Sequence, residues 1–247
     1  MGLQNRVALV TGGSRGIGRG IAVKLAQDGA RIAIAYRSNK AAAQQTLRQL
    51  QSAGTDCVAV EIDINDPARS EQLVRTVVDR FGRLDILVNN VGDFRWGTLG
   101  ESPVEDWQNI ISSNLMTVVY VTRAALPHMR RGRWGRIINL GAVGAERAFG
   151  QAKISAYAAA KAAVVALSRS LALEEAKNGI TVNVVNPSSI DENELTLSEA
   201  RKIRDARFPI GRPPTVEDVA HSVAYFASEG AEYVTGQVVN VSGGWML

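Results

Sequence analysis

Seven short β-rich runs, RVALV, RIAIAY, CVAVEI, LDILVN, RIINLG, ITVNVVN and QVVNV, alternate with longer stretches of helical periodicity. The runs are almost continuously apolar, which is how a strand reads when both of its faces are covered. The intervening stretches, 16–28, 40–53, 67–80, 103–130 and 155–177, are long enough to carry the chain back to the same edge of a sheet. Such β-crossover-β connections are right-handed and give parallel strands. The pattern therefore predicts an α/β fold: a single doubly wound Rossmann domain over residues 1–247 with a seven-stranded parallel sheet. Gly29 and Gly179 follow helical stretches, and Pro67 and Pro103 sit near helix starts. No linker, repeat or low-complexity segment divides the chain. The least regular segment, 187–214, is polar and charged, and an insertion of that length in a compact domain reads as a substrate-loop flap.

Composition narrows the functional classes. A chain of 247 residues, 46% hydrophobic and 21% charged, can bury a large core without staples. Its single cysteine, Cys57, excludes an internal disulfide framework and suits a reducing, cytoplasmic compartment. No apolar run approaches the roughly 20 residues of a membrane span. The N-terminus runs straight into strand-like sequence at 6–10, without a signal segment, and Arg6 stands where a myristoylation signal needs Ser or Thr. His128 and His221 lie far from the motifs below, and no His/Cys/carboxylate group has metal-ligand spacing, so no metal site is expected. A net charge of +4 does not argue for nucleic acid. The one dense basic cluster, RRGRWGR at 130–136, has two readings. It is either a solvated helix end, where cations are favoured, or a docking patch for an acidic carrier or an anionic substrate tail.

A glycine-rich turn, TGGSRGIG, follows the first strand and opens the first helix, with Gly12, Gly16 and Gly18 at its key positions. Glycines permit a tight turn and close backbone approach, and the helix N-terminus offers N–H groups to a pyrophosphate. Ser14, Arg15 and Ile17 complete the turn. An NAD site would want a carboxylate at the end of the second strand to hold the ribose 2′-hydroxyl. Here the strand ends in Tyr36, Arg37 and Ser38. Two arginines, Arg15 and Arg37, and no acid favour a 2′-phosphate, hence NADP(H). Asp63 and Ile64 follow the third strand, at the sheet edge where open α/β folds bind ligands; a turn or cap role before Pro67 is the alternative for Asp63. At the far end of the sequence motif series, Tyr157 and Lys161 lie four residues apart on one helix face. A neighbouring ammonium stabilises a phenolate and lowers the tyrosine pKa, so the pair suits proton transfer to a carbonyl.

Taken together these motifs resemble the short-chain dehydrogenase/reductase family. The chain carries TGGSRGIG, Asp63, NNVG at 89–92, Asn114, Tyr157-x3-Lys161, FPIGRPPTVEDVA and GQVVNVSGG in the family's order. The branch it looks most like is that of the 3-oxoacyl-acyl-carrier-protein reductases and similar NADPH-dependent carbonyl reductases. The resemblance implies that Asp63 and Ile64 meet the adenine and that Asn90 and Gly92 lie along the adenosine ribose. It further implies that Tyr157 is the acid, that Lys161 also bonds the nicotinamide ribose, and that Asn114 holds a water in a proton relay. Pro187, Ser188 and Ile190 would border the nicotinamide. It implies a small-molecule carbonyl or acyl-thioester substrate and a homotetramer, with no nucleic acid or membrane partner.

Two positions depart from the family. Its active-site serine, aligned on the strand RIINLG, falls at Ala142, and no Ser or Thr occurs between Asn139 and Ser155. Losing one preorganised donor costs roughly 10²–10³ in rate. Another hydroxyl (Ser188, Ser189 or Ser155) replaces it, or the substrate needs less polarisation, or catalysis has given way to binding. After the sixth strand, Ser188 stands for the usual glycine and Glu192 lies near the usual threonine. The two expectations are thus an NADPH-dependent carbonyl oxidoreductase with an atypical site, or an NADP(H)-binding protein with little reductase activity.

Overall fold

The computed structural model describes residues 2–190 and 195–246, so the expectation for Glu192 lies outside the described residues. Seven parallel strands form one sheet in the order β3-β2-β1-β4-β5-β6-β7: β1 (Val7–Thr11), β2 (Arg31–Tyr36), β3 (Cys57–Glu61), β4 (Ile86–Asn89), β5 (Gly135–Leu140), β6 (Ile180–Pro187) and β7 (Val238–Val241). Each lies within a residue or two of its apolar run. β1, β4 and β5 are buried along their whole length, as their unbroken apolar sequence requires. The strand order reverses between β1 and β4, and a crevice opens at the carboxyl ends of those strands.

The helices α1 (Gly16–Gln27), α2 (Lys40–Ser52), α3 (Pro67–Phe81), α4 (Val104–Ile111), α5 (Thr117–Gly132), α6 (Ser155–Glu175), α7 (Leu197–Ala200) and α8 (Val216–Ala227) cover both faces. One apolar layer sets α1 and α8 residues, such as Ile21, Leu25, Val219 and Val223, against Val10, Ile34 and Ile138. The other sets Leu73, Val77, Val121 and Met129 of α3 and α5 against Leu9, Leu87 and Ile137. Asp66 caps α3 through the N–H groups of Ala68 and Arg69, and Gly82 ends it at φ 78°. Thr215 and Asp218 form a reciprocal capping box on α8.

The stretch expected as one helix over 103–130 is divided. A π turn, Ser112–Met116, separates α4 from α5. Helix α6 is apolar and long enough to cross a membrane by composition. It instead packs against β6 and α4, and it carries Lys161 buried inside the protein. Two arginines of the basic cluster at 130–136 are engaged by the fold, while Arg131 and Arg133 are exposed. Arg130 pairs with buried Glu175, and Arg136, 2% exposed, stacks on Trp134 opposite Arg6. It also sits where β5 begins, the far edge of the sheet from the crevice. Any docking surface there would stand apart from the reacting end of the fold.

Candidate functional site

The glycine turn is shaped by what a side chain would strike. Gly12 and Gly16 hold φ of 64° and 55°, a left-handed conformation that favours glycine. A Cβ on Gly18 would stand 2.3 Å from the Gly12 carbonyl oxygen and 2.7 Å from the Asn90 amide. The turn is stapled to β4 by Asn90, whose Nδ2 donates to the carbonyls of Thr11 (3.0 Å) and Gly12 (3.3 Å). The Thr11 hydroxyl in turn accepts from the Asn90 N–H at 2.9 Å. Thr46 of α2, fully buried, donates to the Ser14 carbonyl at 2.9 Å. Arg15 is the extended residue preceding α1, and no side chain caps that helix start. The tight glycine backbone and the start of α1, which no side chain caps, leave room and helix N-terminal N–H groups for a pyrophosphate. The residues fit a dinucleotide.

Beside the turn, Arg37 and Asp63 line one depression with Glu61, Asp66 and Arg69. The sequence argument found no acid at the end of β2, yet parallel pairing brings Glu61 of β3 opposite Tyr36. The Tyr36 hydroxyl donates to Glu61 Oε2 at 3.1 Å. Glu61 escaped notice because a neighbouring strand supplies it.

Past β4 the chain turns outward, and the π turn presents Asn114, 0% exposed. Its Nδ2 donates to the Asp93 carbonyl (2.8 Å) and the Ile110 carbonyl (3.0 Å). Its Oδ1 is sealed from solvent with no hydrogen-bond partner among the described residues. A Cβ on Gly92 would stand 2.2 Å from that oxygen, so only glycine lets Asn114 sit there. π turns recur at functional sites.

Helix α6 brings Tyr157 and Lys161 to the same crevice. Lys161 Nζ donates to the Leu140 carbonyl, the last of β5, at 2.8 Å, and lies 5.6 Å from the Tyr157 ring centroid. Burial pushes the phenol up to about 12 and the ammonium down to about 8. The expected lowering of the phenol by the lysine is therefore reversed in the protein alone. Two partly desolvated groups each resist their charged form, and the ammonium is spent on a backbone oxygen rather than on the phenol.

The loop after β5 contains Ala142, partly exposed, where the family has its serine. The loop is tied down one turn later. Glu146 accepts from Asn186 Nδ2 (3.0 Å) and from Asn240 Nδ2 (2.9 Å), while Asn186 Nδ2 also donates to Asn240 Oδ1 at 3.0 Å. Burial alone would raise the Glu146 carboxyl, but the Asn240 and Asn186 amides and Arg147 hold it below its usual range. Of the candidate replacement hydroxyls, Ser189 is exposed and Ser155 is partly so. Ser188 is 5% exposed, and its Oγ has no partner among the described residues. Pro187 ends β6, and Ile190 packs at the edge of the α1–α8 layer.

Deeper down, sequence reasoning missed a buried amide chain. Asn89 donates to Thr122 (3.1 Å) and to Asn139 (2.8 Å), and Asn139 donates to Ser168 (2.8 Å). It locks α5 and α6 to β4 and β5, and so fixes the crevice walls. Among the described residues no group of three or more His, Cys, Asp or Glu side chains has a metal-holding arrangement.

Residues 12–246 match the family described as enoyl-(acyl carrier protein) reductase, adh_short_C2. The chain is 39% identical over 243 residues to the 3-oxoacyl-[acyl-carrier-protein] reductase FabG of Staphylococcus aureus, covering 97% of this chain and 98% of that one. It is 38% identical over 250 residues to the enzyme of the same name from Vibrio cholerae, covering all of both. Among solved structures, acetoin dehydrogenase YohF from Salmonella typhimurium superposes with a TM-score of 0.90 at 33% identity, covering 98% of this chain and 96% of that one. A Serratia marcescens short-chain dehydrogenase/reductase double mutant superposes with a TM-score of 0.90 at 34% identity, covering all of both.

Proposed function

Because the chain belongs to the short-chain dehydrogenase/reductase family and is an oxidoreductase of that type, we propose that it reduces a ketone, aldehyde or 3-oxoacyl thioester with NADPH. The single observation in support of this reading is Tyr157 beside Lys161 on α6, with Lys161 held on the carboxyl end of β5 and the π turn of Asn114 packed against the same helix. When bound, the nicotinamide supplies a hydride to the carbonyl carbon. Tyr157 supplies the proton to the carbonyl oxygen, which completes an alcohol. A phenol held up at about 12 is protonated at neutral pH and so carries the proton that carbonyl reduction requires. Lys161, held on the Leu140 carbonyl, would bond the cofactor's ribose, and Asn114 Oδ1, without a partner among the described residues, would accept from a relaying water.

The cradle at Gly12, Gly16 and Gly18 with Ser14 and Ile17 would hold the pyrophosphate. Arg15, Arg37, Ser38 and Tyr36 would hold the 2′-phosphate, and Asp63 and Ile64 the adenine. Asn90 and Gly92 would lie along the ribose, though the Asn90 amide already serves the turn. Glu61 works against the 2′-phosphate and makes the cofactor preference a balance rather than a lock. Pro187, Ser188 and Ile190 would border the nicotinamide, with the buried, unpartnered Ser188 hydroxyl as the donor that compensates for Ala142. We assign the protein to the cytoplasm as a homotetramer; the open edge at β7, with Val239, Tyr225 and fully exposed Tyr233, is the face in favour.

The test is NADPH oxidation against a broad carbonyl panel, comparing wild type with Tyr157→Phe. Turnover that the variant loses supports the reading. NADPH binding without turnover of any carbonyl favours the second reading, a dinucleotide-binding protein, whose specific support is the absent hydroxyl at Ala142.

A further inference from the structure

The segment after β4 places two large rings where an ordinary surface would not keep them. Phe94 stands edge-on to Tyr157, with centroids 5.0 Å apart and planes at 83°. Trp96 stands edge-on to Phe94 at 5.1 Å and 87°. Yet Phe94 is 46% exposed and Trp96 63% exposed. We propose that Phe94 and Trp96 form a recognition platform for carbonyl substrates bearing a flat aromatic group close to the carbonyl. The proposal rests on Tyr157 as proton donor and names the substrate class of that site.

Three observations carry it. First, the rings are not held by burial. The backbone does the positioning: the Asp93 N–H donates to Ser113 Oγ (3.2 Å), its carbonyl accepts from Asn114 (2.8 Å), and the Gly97 N–H donates to the Lys153 carbonyl (2.8 Å). Rings pinned at both flanks and left open to solvent mark a binding surface. Second, successive perpendicular contacts leave ring faces uncovered beside the phenol. A planar group whose carbonyl reaches Tyr157 meets those faces in the edge-to-face or offset geometry that aromatic pairs prefer. Third, the cation set between the two rings is already committed to the fold. Arg95, between the two rings, is bonded to Asp106 at 2.9 Å.

The size of the effect follows from the geometry. Aromatic pairing beyond simple area burial corresponds to about 3- to 10-fold in binding. The probes are 1-phenylpropan-2-one and 1-cyclohexylpropan-2-one. Both rings have the same carbon count, and one methylene insulates the carbonyl from each, so reactivity is matched. Dissociation constants are measured by ligand-observed NMR on the full chain with NADP present, and turnover is followed separately. Wild type should bind the phenyl ketone about 3- to 10-fold tighter. Phe94→Leu should bring the ratio near one, Trp96→Leu should reduce it by about half, and Phe94→Tyr should retain it, which separates ring loss from local damage. A ratio near one in wild type, or one unchanged in Phe94→Leu, overturns the proposal. A ratio that behaves as expected while neither ketone is reduced leaves the platform standing and removes Tyr157 from its assigned role.

Discussion

The cofactor cradle and the reacting end of the crevice lie on the same sheet edge, yet they are built on opposite terms. In the cradle the polar side chains are already satisfied. Thr11 spends its hydroxyl on the backbone of β4 and Asn90, and Asn90 and Thr46 spend theirs on the backbone of β1 and the glycine turn. At the reacting end, Asn114 Oδ1, Asn186 Oδ1 and Ser188 Oγ are buried with no partner among the described residues. A folded protein rarely tolerates such atoms unless a ligand or water completes them. The cradle is therefore a finished mould for a shape that does not change. The reacting end is held in reserve for groups that arrive, and its chemistry can diverge while the mould persists.

Targeted substitutions press on this contrast. Tyr157→Phe removes the proton donor and should lower kcat by about 10²–10⁴, while NADPH affinity stays within about twofold; a parallel collapse in affinity would merge the two regions into one. Ala142→Ser should raise kcat by up to about 10² if the remaining machinery is intact. Its counterpart is the Ser188→Ala and Ser189→Ala pair. If both leave turnover and NADPH affinity untouched, compensation by this loop is wrong. Gly18→Ala drives a methyl to 2.3 Å from the Gly12 carbonyl. It should weaken NADPH by at least about tenfold by displacing the turn, with kcat at saturation less affected. Arg37→Ala should weaken NADPH about tenfold in a fluorescence titration and leave NADH unmoved. Glu61→Gln should shift the same titration the other way.

The smallest effect is on stability against pH. Lys161 is held at about 8, below its ordinary 10.5, so the unfolded chain binds more protons across that interval. Stability contributed here rises with pH from about 8 towards 10.5. Tyr157, raised from 10.0 to about 12, acts in the opposite sense, and its contribution is lost as pH climbs through that range. Urea midpoints of wild type and Lys161→Met, measured from pH 7 to 10, should converge as pH rises. Divergence would mean the lysine is charged and well paired in the fold.

The sequence resolved the sheet closely because parallel strands buried on both faces leave uninterrupted apolar runs, as in RIINLG, and little else reads that way. The glycine turn was legible because its backbone conformations exclude other residues. What escaped notice depended on contacts between distant segments. Glu61 enters the adenosine depression through strand pairing, and the Glu146–Asn186–Asn240 ring joins residues far apart in the chain. The Tyr157–Lys161 spacing was legible, but the direction of the phenol's shift was not. Spacing says the two side chains share a helix face, whereas burial and the Leu140 carbonyl decide their charge. The π turn was invisible because an apolar helical period tolerates one extra residue.

That extra residue decides where the asparagine sits. A π turn accommodates one residue more than an α turn over nearly the same rise, so it behaves as a single-codon insertion absorbed without shifting the helix beyond it. Removing Ser112 would return 104–132 to an unbroken helix with α5 still docked on α3. It would also rotate Asn114 away from Gly92 and the Asp93 carbonyl.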